Sequence, residues 1–300
     1  MAASDVSVPD VSLRARTTAR DFLQLTKPRL SGLVLFTTAG GMWLSGEKLS
    51  AAQWLITMLA TAGVVGAANT FNCYLERDSD RYMARTASRP LPAGRMEPRV
   101  ALLFGFALAA ISLPALALGA NLLTAVLGLT ALLSYVLVYT PLKRRTHWAM
   151  VMGAIPGALP PLMGWTAATG KVSVPGLTLF AILFIWQLPH TIAIALFRKE
   201  EYARAGLTTL PLQKGDAVAR GWAVVYLAAL LPVSVLPFYF QLAGGLSLGV
   251  ALALGGWFFG VGGWGWWKGL DAKWARKLFY VSLIYLTGLF VALGVDAQRL

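Results

Sequence analysis

The chain has 300 residues, of which 57% are hydrophobic and 13% are charged, with a formal net charge of +13. Soluble domains carry about 25% charged residues, so this composition excludes an ordinary cytosolic enzyme and a disordered chain. The single cysteine, Cys73, excludes an intrachain disulfide. Because the mean hydropathy is +0.63, we interpret the basic excess as a signal of membrane orientation and expect no nucleic-acid partner.

The first 25 residues are polar and basic and lack the apolar core of a signal peptide, which predicts a cytosolic N-terminal tail. Residues 26–300 then read as a single transmembrane domain. Runs of this length cannot be strands, so the predicted fold class is all-α, a polytopic membrane protein with about nine helices. The predicted helices lie near 31–47, 51–75, 100–119, 121–140, 149–169, 174–197, 221–240, 245–267 and 276–295.

The distribution of Lys and Arg predicts the sidedness of these helices, since cytoplasmic segments carry the excess of cations. With the N-terminus inside, 23 of the 26 cations fall on the inner side, and Lys48, Lys171 and Arg299 fall outside. The sequence therefore predicts a cytoplasmic N-terminus and an outer C-terminus, in the inner (cytoplasmic) membrane of a cell.

Several sequence features predict packing rather than chemistry. The run Gly260 to Gly265 spells GxGxxG, but no strand precedes it, so we expect a helix contact and not a dinucleotide site. Cys73 is expected in packing, and the tryptophans of 257–274 in an interfacial belt. Three glycine pairs have the spacing that lets helices approach closely: Gly153/Gly157, Gly245/Gly249 and Gly256/Gly260.

The stretch from Asn72 to Asp80 is the first candidate for chemistry. Asn72, Glu76 and Asp80 follow one another at four-residue intervals, which places them on one helical face at a membrane boundary. Three oxygen-bearing side chains there suit Mg²⁺, which accepts one or two carboxylates and shares phosphate oxygens of a substrate. The alternative is that these acids are solvated partners of the neighbouring arginines.

A second candidate lies at the end of the sixth predicted helix. His190 and Glu201 are eleven residues apart, three helical turns, so a continuous helix would place them on one face, with Glu200 pointing elsewhere. A histidine within an apolar span usually faces a bundle interior or a cavity. The alternative is a hydrogen-bonded packing histidine. His147, at a basic boundary, is not expected to be a ligand.

These segments together resemble a known family. The runs NCYLERDSD and RTASRPLPAGR resemble the first aspartate-rich motif and following loop of the UbiA-type intramembrane prenyltransferases. Four further blocks resemble the branch of that family that farnesylates protohaem IX. They are LTKPRL at 25–30, YTPLKRRT at 139–146, GAIPGALPPLMGW at 153–165 and WQLPHTIAIALFRKEEYARAGLTTLPL at 186–212.

The resemblance implies a UbiA-type bundle and transfer of a farnesyl group from farnesyl diphosphate to a vinyl group of haem B, with water added. Haem O and diphosphate would be the products, and a haem A synthase would act downstream. By similarity, Asn72, Glu76 and Asp80 would hold Mg²⁺ on the diphosphate, and Glu201, alone or with Glu200, would form a second acidic metal site. His190 would be a further catalytic residue, either completing that second site or, in the alternative, binding the haem iron. Phe197, four residues before Glu201, departs from the DxxxD-like second motif of other branches. Basic positions implied to meet the diphosphate are Lys27, Arg81, Arg89, Lys143 and Arg144.

Three questions stay open at this stage. The aromatic side chains of Phe71, Tyr74, Tyr135 and Tyr139 flank the allylic cation or simply pack in the core. The acceptor is haem B or, in the alternative, a quinone precursor or another ring. A transporter with a charged inner vestibule is a more remote alternative. It predicts polar residues at mid-span and broken helices, whereas the charged groups of this sequence, apart from His190, lie at helix ends.

Overall fold

The computed structural model describes residues 17–297, so the predictions for Arg299 and for residues 1–16 of the tail lie outside the described part. Within that part the chain is helical, and the only pairing of extended backbone is a single bridge between Ala243 and Ala297. The helices are α1 (Ala19–Leu25), α2 (Pro28–Leu44), α3 (Ala51–Asp80), α4 (Pro98–Gly119), α5 (Leu122–Leu133), α6 (Thr140–Leu142), α7 (Ala149–Thr169), α8 (Val174–Phe197), α9 (Lys199–Arg204), α10 (Leu210–Lys214), α11 (Asp216–Tyr239), α12 (Gly245–Lys268) and α13 (Ala272–Val295). A π-helical segment (Ser134–Tyr139) joins α5 to α6.

Every predicted apolar stretch corresponds to a long helix, which confirms the all-α, polytopic membrane fold. Within residues 17–297, six helices and the continuous segment Leu122–Leu142, which comprises α5, the π-helical segment and α6, are long and apolar enough to cross a membrane. The predicted count of nine spans therefore stays a prediction. The two remaining long helices are α2, with 17 residues, and α7, which contains Pro156, Pro160 and Pro161. Proline within a membrane helix is tolerated where neighbouring helices satisfy the freed carbonyls.

The bundle has two main apolar cores. One lies among α8, α11, α12 and α13 around Phe258 and Tyr285, and the other among α3, α4, α5 and α7 around Leu116 and Met163. Cys73 is buried in a third, smaller cluster, which confirms its predicted role in packing.

The helices α2 and α7 approach each other closely at two glycines. A Cβ added at Gly41 would overlap the carbonyl oxygen of Pro161, and one added at Gly164 would overlap that of Thr38. Small residues allow backbones to touch in this way, and in lipid such van der Waals packing replaces the hydrophobic effect as the force between helices.

Two of the three predicted glycine contacts are wrong. Added Cβ atoms at Gly245, Gly249, Gly256 and Gly260 would meet no described atom within 4 Å, because these residues lie on an outer face of α12. The contacts of α12 are made instead by Gly262, against Leu227, and by Gly265, against Trp274. The pair Gly153/Gly157 does lie in close contact, with Tyr139 and Gln187 respectively.

The tryptophans near the end of α12 mostly follow the predicted interfacial belt. Trp257, Trp264, Trp266 and Trp267 are exposed on the outside of the bundle. Trp274 is an exception, since it is buried and its indole Nε1 donates a 2.8 Å hydrogen bond to the carbonyl of Val261. It therefore locks α13 to α12.

Candidate active site

The helix ends that the sequence assigns to the inner side surround one large cavity of about 1430 Å³. The C-terminal ends of α3, α6 and α8 and the N-terminal ends of α2, α11 and α13 all contribute to its wall. Ten Lys or Arg side chains and six Asp or Glu side chains line it. An excess of cations in a cleft between apolar helices favours an anionic ligand.

Asn72, Glu76 and Asp80 line this cavity together, and each is held by one cation. The Nζ of Lys27 donates to Asn72 Oδ1 at 2.7 Å, and the Nζ of Lys143 donates to Glu76 Oε1 at 2.9 Å. An Arg89 nitrogen lies 2.6 Å from Asp80 Oδ2. One face of α3 thus presents three oxygen-bearing groups to three cations, all of them predicted from the sequence to act at the site.

Lys27 reaches Asn72 from a strained backbone position. It lies between α1 and α2 with φ of 49° and ψ of 60°, in the left-handed region that side-chain-bearing residues rarely adopt. Pro28 follows directly, and its ring disfavours the right-handed helical conformation for the preceding residue. Such strain persists only where the surroundings fix it, and it concentrates at functional sites. Burial lowers the pKa of the Lys27 ammonium.

Lys143 follows directly after α6, which the π-helical segment joins to α5. Its ammonium lies 4.4 Å from the ring centroid of Tyr139. Burial alone lowers the pKa of Lys143, but the neighbouring Tyr139 and the carboxylate of Glu76 outweigh this and raise it. Lys143 is consequently a permanent cation at the cavity wall.

Asp80 and Glu201 each have one carboxylate oxygen that is available to a ligand. Asp80 Oδ1 and Glu201 Oε1 are buried without a hydrogen-bond partner among the described residues. The other Glu201 oxygen accepts from Arg198 at 2.6 Å. A buried, unsatisfied carboxylate oxygen is costly unless a ligand or ion completes it. Each of these two atoms is an anionic acceptor of the kind that binds a divalent cation sharing phosphate oxygens of a substrate.

No group of three or more His, Cys, Asp or Glu residues within 17–297 is arranged to hold a metal ion by itself. The two α3 acids at the cavity, Glu76 and Asp80, are each paired with a cation instead. A metal here would therefore rest on one or two carboxylates and on the substrate, which is the usual coordination of Mg²⁺ at phosphate sites.

The predicted common helical face of His190 and Glu201 is wrong. The helix α8 ends at Phe197, and Arg198 leaves the helical conformation with φ of −114° and ψ of 19° before α9 begins. Glu201 and His190 still line the same cavity, but on separate elements. Glu200 lies exposed at its rim.

His190, also at the cavity wall, is held by aromatic stacking and by a contact with α13. Its ring lies 4.7 Å from Trp186 and 4.9 Å from Phe279 between centroids. Its Nδ1 lies 2.7 Å from the hydroxyl of Ser282. His147 lies at the rim, where its Nδ1 contacts Gln213.

Other predicted residues lie elsewhere. Arg81 and Arg144 are exposed and do not line the main cavity; Arg144 lines a small neighbouring pocket with Asp78 and Arg204. Phe71 is buried against Phe106, whereas Tyr135 and Tyr139 line the cavity. Tyr74 does not line it and packs under the guanidinium of Arg77.

Sequence reasoning missed the residues that α13 and the loop after α8 bring to the site. Phe279, Arg276 and Arg198 line the cavity, and Ser282 lies behind His190. The four-residue spacing of Phe279 and Leu283 was the one available signal for a cavity-facing stripe on α13. An apolar helix offers many such stripes.

Comparison with known proteins gives consistent matches along the chain. The model of the UbiA prenyltransferase family matches residues 34–284. A protein named protoheme IX farnesyltransferase from Myxococcus xanthus (strain DK1622) is 62% identical over 280 residues, covering 93% of this chain and 95% of the relative. One of the same name from Sorangium cellulosum (strain So ce56) is 50% identical, covering 88% and 100%.

Solved structures share the fold at low sequence identity. A digeranylgeranylglyceryl phosphate synthase matches with a TM-score of 0.78 and 20% identity, covering 94% of this chain and 99% of that one. A UbiA homolog from Archaeoglobus fulgidus bound to GPP and Mg²⁺ matches with a TM-score of 0.68 and 19% identity, covering 91% and 99%.

Proposed function

Because this chain belongs to the UbiA prenyltransferase family, we propose that it transfers a farnesyl group from farnesyl diphosphate to a vinyl group of haem B. Water is added in the same reaction, and haem O and diphosphate are the products. The observation that carries this assignment is the cavity, in which Lys27, Arg89 and Lys143 face three oxygen-bearing groups of α3. The relatives named protoheme IX farnesyltransferase, at up to 62% identity, support haem B as the acceptor.

Lys27, Arg89 and Lys143, which we call the cationic wall, bind the diphosphate. In the structure each of these cations is paired with an oxygen of α3, and a diphosphate would offer them stronger, multiply charged partners. Arg89, Lys143 and Lys27 thereby orient the leaving group and stabilise the negative charge that develops on it. Of the other predicted cations, Arg81 and Arg144 are exposed and lie outside the main cavity.

Asp80, with Asn72 and Glu76 beside it, would hold Mg²⁺, and Glu201 would form a second acidic site. Asp80 Oδ1 and Glu201 Oε1 support this, because both are buried at the cavity wall without a partner among the described residues. Bound there, the ion would neutralise the diphosphate as a Lewis acid. A solved neighbour with the same fold was bound to GPP and Mg²⁺, which supports this cofactor.

The proposed reaction breaks one bond of the donor and forms two bonds at the vinyl group of the acceptor. The bond between C1 of the farnesyl chain and its diphosphate oxygen breaks, and both electrons leave with the diphosphate. The vinyl carbon then bonds to C1, which leaves a cation on the porphyrin side that water captures with loss of a proton. Preorganised cations that stabilise the leaving group typically supply the largest share of such catalysis.

Apolar and aromatic side chains around the cationic wall protect the allylic cation from water. Leu30, Leu33, Tyr135, Tyr139 and Leu283 line the cavity. Each CH₂ of the farnesyl chain buried there would contribute about 0.8 kcal/mol. Excluding water until the C–C bond has formed prevents simple hydrolysis of the diphosphate.

We further propose the setting of the reaction. Residues 26–300 form the catalytic membrane domain behind a cytosolic tail, with the N-terminus in the cytoplasm and the C-terminus on the outer side of the inner membrane. The cavity then opens to the cytoplasm, where water-soluble farnesyl diphosphate is available. A haem A synthase is the expected consumer of the product.

The test is a reaction of the purified protein in detergent with farnesyl diphosphate, haem B and Mg²⁺, followed by mass spectrometry. We expect a haem that has gained one farnesyl group and one water, and release of diphosphate. Parallel reactions contain 4-hydroxybenzoate in place of haem B. Product from 4-hydroxybenzoate and none from haem would overturn the proposal in favour of a quinone-precursor prenyltransferase.

A further inference from the structure

The wall of the cavity that α8 and α13 form carries a second set of groups, distinct from the cationic wall. Four aromatic rings form a chain of contacts there: Trp186 stacks on His190 at a centroid distance of 4.7 Å, His190 lies tilted against Phe279 at 4.9 Å, and Phe279 meets Phe197 edge to face at 5.7 Å. His190, Phe197 and Phe279 line the cavity directly. We call these four residues the aromatic wall.

Ser282 fixes the hydrogen-bonding state of His190. The Ser282 hydroxyl donates its single proton to the carbonyl of Phe279 at 2.6 Å. With the hydroxyl proton assigned to that carbonyl, the hydroxyl oxygen accepts from His190 Nδ1, 2.7 Å away, and this network selects the tautomer that carries its proton on Nδ1. The remaining ring nitrogen, Nε2, is left with a free lone pair.

The second ring nitrogen, Nε2, is open to a ligand bound in the cavity. His190 lines it, and Nε2 has neither a hydrogen-bond partner within residues 17–297 nor the burial that would make it an orphaned polar atom. The ring cannot easily turn away, because Trp186 stacks on it and is itself anchored by a 2.7 Å hydrogen bond from its Nε1 to the Ser282 carbonyl. A histidine whose other nitrogen donates to a fixed acceptor is the usual form of a metal ligand.

Two guanidinium groups lie beside Phe197, at one edge of the aromatic wall. The Cζ atoms of Arg198 and Arg276 lie 5.5 and 5.6 Å from the ring centroid of Phe197. Arg198 is committed to Glu201, whereas Arg276 makes no ion pair with any described residue. Arg276 precedes Ser282 by six residues on α13, an axial rise of about 9 Å.

We propose that the aromatic wall is the docking site of the acceptor, a planar metalloporphyrin that bears carboxylates. His190 Nε2 binds its iron, and Arg276, beside Phe197, binds a propionate. The rise from Ser282 to Arg276 is comparable to the distance from a porphyrin iron to its propionate carboxylates. Ser282 is a positioning residue that acts through His190. This inference rests on the proposed function, because it assigns the place of the acceptor in that reaction.

The test measures binding, in detergent, without Mg²⁺ and without farnesyl diphosphate. Ferric haem B, metal-free protoporphyrin IX and haem dimethyl ester are titrated separately, and the Soret band and electron paramagnetic resonance spectrum are recorded. We expect His190→Ala to lose the spectral signature of histidine ligation while metal-free protoporphyrin IX binds as in the wild type. The intact binding of the metal-free ring shows that the variant is folded.

Ser282→Ala is expected to weaken binding of haem by about 10- to 100-fold, again without effect on the metal-free ring, and Ser282→Thr to restore it. Arg276→Gln should weaken haem B about tenfold or more but leave haem dimethyl ester unchanged. Lys277→Gln, the next residue on α13 and absent from the cavity wall, is the matched control.

Unchanged haem affinity and spectrum in His190→Ala would overturn the docking site, as would an equal loss of both porphyrins. Failure of the proposed function looks different. A wild-type protein that binds haem with a histidine signature, but forms no farnesylated haem with the donor and Mg²⁺, refutes the function and leaves the binding site in place.

Discussion

Asp80 and Arg89 form a 2.6 Å ion pair at the cavity wall, with the Asp80 side chain almost completely buried. Only one carboxylate oxygen takes part, since Oδ1 has no partner among the described residues. A buried carboxylate that keeps one oxygen free beside a cation is arranged to receive a further cationic ligand. The relationship links the fold of the loop after α3 to the chemistry of the donor site.

Replacing this carboxylate tests the metal site. Asp80→Asn preserves size and most hydrogen bonding but removes the charge, so we expect kcat/KM for farnesyl diphosphate to fall by about 100-fold or more. The rate is measured over a Mg²⁺ titration. Asp78→Asn is the matched control, because Asp78 is 70% exposed and lies 3.9 Å from Arg77. A wild-type rate in Asp80→Asn would contradict the assignment.

Lys143 and Arg144 are adjacent cations, so replacing each in turn tests whether the position of a charge or the overall charge governs donor binding. Lys143 lines the cavity and contacts Glu76, whereas Arg144 is exposed and lies outside the main cavity. We expect Lys143→Met to raise the KM for farnesyl diphosphate by about tenfold or more and Arg144→Met to change it less than about twofold. Steady-state kinetics decides the matter. Equal effects of the two changes would show that overall charge, and not the cavity wall, governs donor binding.

The alkaline limb of the pH profile should report Lys27. Burial lowers the pKa of its ammonium in the folded protein, so the positive charge that binds the diphosphate is present at lower pH and is lost as pH rises through that lowered value. The kcat/KM for farnesyl diphosphate should therefore fall at a pH below the ordinary range of lysine.

The control for this profile is Lys27→Arg. Because a guanidinium stays protonated, this variant should move the alkaline loss to higher pH. An alkaline limb at the same pH in both proteins would assign the titration to another group.

The contact between α2 and α7 makes a prediction about stability. A methyl group at Gly41 would overlap the backbone carbonyl of Pro161, which cannot move aside without displacing the helix. We expect Gly41→Ala to lower the free energy of unfolding by about 1–3 kcal/mol, visible as a lower Tm in detergent. Gly249→Ala, at a position open to the outside, should be neutral or slightly stabilising. Equal Tm values for the two variants would refute the close contact.

The sequence predicted the helical elements well because membrane helices are specified locally. Long apolar runs end where charges begin, and the structure begins and ends α3, α8 and α12 within a few residues of those boundaries, apart from the extension of α3 to Asp80. The acid face of α3 was also predictable, since Asn72, Glu76 and Asp80 belong to one continuous helix. The alignment of His190 with Glu201 failed because it assumed helix continuity through Arg198.

The sequence by itself determined that the chain lies in a bilayer, which segments are helical, and which chemical groups the inner helix ends carry. Their apolar length requires a bilayer, and their cations and carboxylates favour a phosphate ligand. Only the tertiary structure decided which of these groups meet. It placed Lys143 but not Arg144 in the cavity wall, and it brought Ser282 of α13 behind His190 of α8, 92 residues earlier in the chain. The reason is that helix packing depends on the shapes of facing surfaces, and no local pattern in an apolar helix says which stripe will face a cavity.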